Sequence, residues 1–248
     1  MDVRMFTVGM VQENCYLFRR DGSDRAVIVD PGEEAPRLLG AIDELGVQLE
    51  AILLTHTHFD HVGAVAPVAK ATGAAVWVPE LEKPVLSDIN SYVPWAEFGP
   101  YESWDAEHTV SGGERLSLAG FEIDVLFTPG HSPGHVTYSI AGETPVRCSP
   151  EKGTVRCSPE QRSGVAPPRE RSGCAPPHEA AVFSGDVLFQ GSVGRVDLPG
   201  GDWPTLLGSI GTLMDTLPPE TTVYPGHMGV TTLGAERASN PFLAELAR

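Results

Sequence analysis

Leu49-Glu50-Ala51-Ile52-Leu53-Leu54-Thr55-His56-Thr57-His58-Phe59-Asp60-His61 is the stretch that decides how this chain reads. Its first six residues are an apolar run of the kind expected of a strand buried on both faces. The next seven are a polar loop that turns into a helix. With 8 His and 13 Asp in 248 residues, chance would supply His-x-His-x-Asp-His in about four of ten thousand such chains. Imidazole and carboxylate are ligands of borderline divalent metals. His56 and His58, two apart at a strand end, project to one side. Asp60 and His61 lie on the turn that follows. Two ligand pairs this close do not serve one ion comfortably, so the spacing points to two neighbouring metals.

Outward from this loop, strand and helix signals alternate. Runs 13–19 and 25–29 flank the hairpin cue Asp21-Gly22, and the second stops at Asp30-Pro31-Gly32. Leu38, Ile42 and Leu45 fall at helical spacing over 35–45, closed by Gly46. A helix is expected over 63–72, with Pro67 either delaying its start or kinking it. Strands follow at 75–78, 114–118, 121–127, 135–140, 181–184 and 222–224. A helix over 203–217 takes Asp202 as N-cap, and a short one closes the chain at 242–247. Tyr92, Trp95, Phe98, Tyr101 and Trp104 stand in a long loop that either covers the metal face or packs beneath it. The pattern gives an α/β class, with two sheets in the middle and helices outside: an α/β/β/α sandwich.

Three further ligand candidates stand at the ends of β runs. They are His135 after Pro129-Gly130-His131-Ser132-Pro133-Gly134, Asp186 after Phe183-Ser184-Gly185, and His227 after Tyr224-Pro225-Gly226. A formal charge of −16 argues against binding nucleic acid or an anionic bilayer, which needs clustered Lys and Arg. No apolar run approaches the roughly 20 residues of a membrane span, and Met1 to Met5 lack a signal-peptide pattern. A cytoplasmic location is the expectation. Cys15, inside an apolar strand, reads as a buried inert thiol.

Residues 146–181 differ in kind: VRCSPEKGT, VRCSPEQRS, GVAPPRERS and GCAPPHEAA stand in tandem. These units have little apolar surface to stack and seven of the chain's 22 prolines fall between Pro145 and Pro177. A disordered insertion at about 146–180 is expected in one domain spanning 1–248. Cys148, Cys157, Cys174 and His178 do not have zinc-site spacing. The insertion should hang from the end of a hairpin remote from His135 and Asp186. Without 146–179, which holds six basic and four acidic residues, the remaining chain carries about −18.

Taken together, these segments resemble the metallo-β-lactamase-fold hydrolases, and among them the glyoxalase II-like (hydroxyacylglutathione hydrolase-like) thioesterases. The resemblance rests on Asn14-Cys15-Tyr16-Leu17, Val29-Asp30-Pro31-Gly32, the His loop, 128–135, Ser184-Gly185-Asp186, 191–197, Pro225-Gly226-His227 and Asn240-Pro241-Phe242. It implies the four-layer α/β/β/α metallo-β-lactamase sandwich. It also implies two divalent ions, Zn2+ first with Fe or Mn as alternatives. His56, His58 and His135 would hold one ion, and Asp60, His61 and His227 the other. Asp186 would bridge them, His131 would stand behind the ligands, and Asp30 would orient them. The implied reaction is hydrolysis of a small-molecule thioester of the S-lactoylglutathione type by a metal-bound hydroxide that Asp60 helps to aim. Arg195 matches a basic residue used for the thiol carrier, its alternative being an ion pair with Asp197. The larger enzymes add a C-terminal helical domain for glutathione, and here about twenty residues follow His227. A second function fits the same residues: a persulfide dioxygenase with one iron on His56, His135 and Asp186.

Overall fold

The computed structural model describes residues 1–142 and 179–244. Strands β1 (Asp2–Val8), β2 (Glu13–Arg19), β3 (Arg25–Val29), β4 (Gln48–Leu53), β5 (Ala75–Pro79) and β6 (His108–Val110) form one sheet in that order. β1, β2 and β3 are antiparallel; β3 to β6 are parallel. A second sheet holds β7 (Arg115–Leu118), β8 (Phe121–Phe127), β9 (Val136–Ile140) and β10 (Ala181–Gly185). A two-stranded ribbon follows, β11 (Leu188–Phe189) with β12 (Ser192–Val193). β13 (Thr222–Pro225) then joins β10 in parallel, and β14 (Thr231–Thr232) closes the edge.

Side-chain alternation sorts these strands into layers. Ile28, Ile52 and Leu54 face outward, onto Leu38 and Ile42 of helix α1 (Ala35–Leu45) and onto two helices after the His loop. Those are α2 (Phe59–Val62) and α3 (Val65–Thr72), whose Val65 and Val68 join the same cluster. Val27, Val29, Ala51 and Leu53 face inward, onto Val125, Val136, Tyr138 and Phe183 of the second sheet. Val182 and Val223, on that sheet's other face, pack on Leu206, Ile210 and Leu213. Three apolar interfaces between four layers make the expected α/β/β/α sandwich.

Most of the expected elements lie within a residue or two of expectation, whereas β1, β6, β11, β12 and β14 were not expected from the sequence. The helix expected from residue 63 begins at Val65, which puts Pro67 in its first turn, where its missing N–H costs nothing. Helix α4 (Lys83–Ser87) lies inside the segment read as loop. Trp203–Thr216 forms α5, and Asp202 caps it through Thr205 N–H at 2.9 Å. A helix absent from the sequence reading, α6 (Leu233–Ser239), is capped by Thr232. It is seven residues long with Gly234 inside, so local propensity is poor. Its buried Glu236 holds it by accepting from Gly191 N–H, Thr231 Oγ1 and Asn240 Nδ2. The expected 242–247 helix is a single 3-10 turn, Pro241–Leu243, with 245–248 outside the described residues.

Cys15 is fully buried, as expected of an inert thiol. The tandem repeats, with Cys148, Cys157, Cys174 and His178, lie outside the described residues. Their attachment points do not: Ile140 pairs with Ala181, at the opposite end of the β9–β10 ladder from His135 and Asp186. No described helix is long and apolar enough to cross a membrane.

The capping carboxylate of α5 is an isolated, exposed interaction. Asp202→Ala should therefore lower stability by about 1 kcal/mol in urea unfolding, with the cleft chemistry unchanged.

Candidate metal centre

The ends of β3, β4, β10 and β13, with the loop joining β8 to β9, meet at one edge of the sandwich. Hydrogen bonds between the sheets fix their relative position there, Asn14 N–H to the Gly226 carbonyl at 2.7 Å among them. Tyr16 donates to the Pro225 carbonyl at 2.7 Å, Tyr138 to that of Leu54 at 2.9 Å, and Val136 N–H to that of Thr55 at 2.9 Å. Gly185 and Gly226 allow the final approach. A Cβ on Gly185 would come within 2.7 Å of His135 Nε2, and one on Gly226 within 2.8 Å of the His61 ring.

One group of donors is His56, His58 and His131. Their nitrogens stand 3.1 Å apart for His56 and His58, 2.8 Å for His58 and His131, and 3.2 Å for His56 and His131. Nitrogens bound tetrahedrally at 2.0–2.1 Å stand about 3.3 Å apart, so the spacing suits one ion. Their tautomers suit it too. His131 Nδ1–H donates to the Arg195 carbonyl at 2.7 Å, which can only accept, and so leaves its Nε2 lone pair facing the cluster. Thr55 Oγ1 gives its proton to Asp30 and accepts from His56 Nδ1, with the same result. Burial, followed by neighbouring imidazoles, holds His56 well below its usual pKa; burial and His131 hold His58 at about 4. Both are neutral at pH 7, as ligation requires.

The sequence expectation of His135 in this group is corrected by the geometry. His135 directly precedes β9, behind the cluster, and both of its nitrogens are engaged: Nε2 accepts from Asp186 N–H at 3.1 Å and Nδ1 contacts Thr128 Oγ1 at 3.1 Å. His131, expected behind the ligands, is the one whose lone pair faces His56 and His58.

The second group is Asp60, His61 and His227. His227 Nε2 lies 3.4 Å from Asp60 Oδ2, and His61 Nε2 3.8 Å from the same atom. Asp186 stands between the groups, with Oδ1 3.4 Å from His61 and Oδ2 3.5 Å from both His131 and His227. His61 Nε2 and Asp186 Oδ1 are buried and have no hydrogen-bond partner among the described residues. Two strong ligand atoms left unpaired in contact are what a bound cation would satisfy, and the all N/O set suits Zn, Fe or Mn. Burial alone would lower His61, but Asp186 and Asp60 outweigh it and hold it well above its usual value. Burial likewise opposes ionisation of Asp186, yet His61 and His227 keep its carboxyl well below the usual range.

Behind these donors stand carboxylates of two kinds. Asp30, at positive φ, accepts from Thr55 N–H at 2.7 Å and Thr55 Oγ1 at 2.6 Å and holds His61 Nδ1 at 3.1 Å. That is its expected orienting role. Glu82 and Glu13 were not singled out in the sequence. Buried Glu82 accepts from Thr57 Oγ1 (2.7 Å) and Thr57 N–H (3.3 Å) with one oxygen, and from Ser132 Oγ (2.7 Å) and Gly134 N–H (2.9 Å) with the other. It therefore clamps the loop of His56 and His58 to the turn of His131. Glu13 is fully buried 3.7 Å from His61, and burial pushes its carboxyl pKa well up. A cleft of about 440 Å3 opens over the donors, lined by His58, Asp60, His131, Asp186 and His227 at its floor. Arg195 also lines it, in a bidentate pair with Asp197 at 2.7 Å for both contacts.

Two measurements check this assignment. His131→Ala should bind one metal equivalent fewer. His135→Ala should keep the stoichiometry and lose about 1–3 kcal/mol of metal-free stability, since it strands Asp186 N–H; the reverse pattern would return His135 to the ligand set. Glu82→Gln puts a donor where only acceptors fit, and should weaken metal binding about 10–100-fold in calorimetric titration without altering the circular dichroism. Unchanged affinity would remove Glu82 from the site.

Comparison with known proteins identifies the family. Residues 8–144 match the metallo-beta-lactamase superfamily model. The chain is 33% identical to hydroxyacylglutathione hydrolase GloC of Haemophilus influenzae, over 98% of both chains. Among solved structures, BLEG-1 B3 metallo-beta-lactamase aligns with a TM-score of 0.78 at 33% identity, covering 98% of this chain and all of that one. TTHA1623, solved in a di-iron-bound form, aligns with a TM-score of 0.71 at 38% identity, covering 97% of this chain and all of the other. On the family match and on these full-length likenesses, the chain belongs to the metallo-β-lactamase superfamily.

Proposed function

We propose that the protein is a thioesterase of the glyoxalase II-like kind, using two divalent ions to hydrolyse a small-molecule thioester. The observation that carries the reading is Asp186, whose carboxylate reaches both donor groups, with Oδ1 3.4 Å from His61 and Oδ2 3.5 Å from both His131 and His227. His56, His58 and His131 would hold one ion and Asp60, His61 and His227 the other, with Asp186 shared. Zn2+, Fe and Mn all suit these donors. When bound, such a pair acidifies water and polarises a carbonyl.

The chain's own residues contribute position and charge. Asp30 and Glu82 hold the donor loops, and Asp60, 3.4 Å from His227, accepts a hydrogen bond from the attacking water and aims it. The water oxygen adds to the carbonyl carbon, the C–S bond breaks, and sulfur leaves with its electron pair. A thiolate with a pKa of about 8.5 leaves without a strong general acid. None of the described cleft residues forms a Ser-His-Asp arrangement, and the reaction needs none. The relative named as a hydroxyacylglutathione hydrolase supports the substrate class.

The test is metal analysis of protein purified without added metal, followed by a thioester panel. About two equivalents of metal, turnover of S-lactoylglutathione or another thioester, and loss of at least 10³-fold activity in Asp186→Ala are expected, given the scale of transition-state charge stabilisation. Oxygen uptake with glutathione persulfide, and no thioester turnover, would replace this reading by the mononuclear iron dioxygenase. β-Lactam turnover in place of thioester turnover would move it toward the BLEG-1 activity instead.

A further inference from the structure

The cleft above the donor groups is more apolar than the chemistry at its floor requires. At about 440 Å3 it falls in the 300–1,000 Å3 range of small-ligand sites. One wall is Leu81, Val85, Tyr92, Pro94 and Trp95; the other is Pro133, Leu198 and Pro199. Leu81, Tyr92 and Trp95 remain 65%, 55% and 38% exposed, so this apolar surface is not spent on the core. The wall also starts next to the reacting centre. Trp95 stands edge-on to Phe59 with ring centroids 5.9 Å apart, and Phe59 precedes Asp60.

Positive charge is scarce by comparison. Arg195 is the one Lys or Arg among the described lining residues. Its guanidinium is already bidentate with Asp197, which it holds at a pKa of about 2. Glutathione brings two carboxylates. A cleft built around them would offer uncommitted cations, and the chain's charge of −16 works against such a ligand.

Resting on the thioesterase reading, we infer that the substrates are thioesters of apolar acyl groups, seated against Leu81, Val85, Tyr92 and Trp95, on carriers recognised with little charge. Hydrolysis consumes one water, replaces the C–S bond by a C–O bond, and yields an apolar carboxylate, a thiol and a proton. The class of reaction that supplies such a substrate is acyl transfer to a thiol.

Four thioesters test it on the metal-loaded protein: lactoyl and hexanoyl, each on glutathione and on uncharged N-acetylcysteamine. Hexanoyl should exceed lactoyl by about tenfold or more in kcat/KM on both carriers, the scale that a few buried methylenes produce. Exchange of carrier should matter less than about threefold, and Trp95→Ala should bring the acyl ratio near unity. A preference for lactoylglutathione, or an acyl ratio unmoved by Trp95→Ala, overturns the inference while the thioesterase reading stands. Binding is followed separately, by calorimetric titration with the inert thioether S-hexyl-N-acetylcysteamine, a readout that does not depend on Trp95 itself. Where no thioester is turned over, the thioesterase reading and the thioester assignment fall together, and thioether binding weakened by Trp95→Ala would leave only the apolar ligand site standing.

Discussion

A carboxylate shielded from water organises this molecule's chemistry. Asp30, at the end of β3, is 2% exposed, and a carboxyl group so placed must be compensated by hydrogen bonds or charge. Its compensation comes from the end of β4, through Thr55 N–H and Oγ1, and from α2 through His61. One group thereby sets where the strand stops, how the His loop leaves it and which nitrogen of His61 faces the cleft. Through Thr55 it reaches His56 as well. Glu82 does for the other side of the site what Asp30 does for this one, joining two loops that no strand pairing connects.

These clamps explain why small residues crowd the centre. The donors come from both sheets, and a site of a few ångströms can form only where backbone approaches backbone. Gly194 packs against Asp186, Gly32 against Asp60, and Gly226 against Asp186 and His61. Any side chain there would push the donor groups apart. The sheets themselves could tolerate larger spacings, so the cost of close approach is concentrated at the functional edge.

The sandwich and most of the donor set were legible in the sequence because both depend on short-range pattern. Apolar alternation sorts Val27 and Ile28 to opposite layers, and His56 to His61 lie within one loop. The choice between His131 and His135 was not legible by such means. Both follow a Pro-Gly or stand beside one, and what separates them is three-dimensional. His131 sits in a turn tied to α5, through Asp202 N–H to the Gly130 carbonyl and Ser209 to the Pro129 carbonyl. His135 directly precedes β9, with its ring held between Asp186 N–H and Thr128 Oγ1. Glu82 was hidden for a related reason, since its partners lie 25, 50 and 52 residues away. The aromatic loop divides in a way its composition did not disclose. Phe98, Tyr101 and Trp104 pack onto the first core, and Tyr92 and Trp95 line the cleft.

The acidity of the chain acquires a different meaning once the site is in place. At physiological salt, fields decay over about 8 Å, so distant surface carboxylates act mainly on approach, and the cleft's own groups act on the bound ligand. At the floor, Asp60 and Asp186 are balanced by His61 and His227 when no ion is present, and two divalent cations would leave the floor net positive. A single negative or polarised group is therefore welcome at that point and nowhere else in the cleft, because Arg195 is neutralised by Asp197 and the walls are apolar. In the proposed reaction, an oxyanion forming at the scissile carbonyl would meet that condition. Charge elsewhere on a substrate does not, so the protein's overall field and its cleft lining discriminate in the same direction.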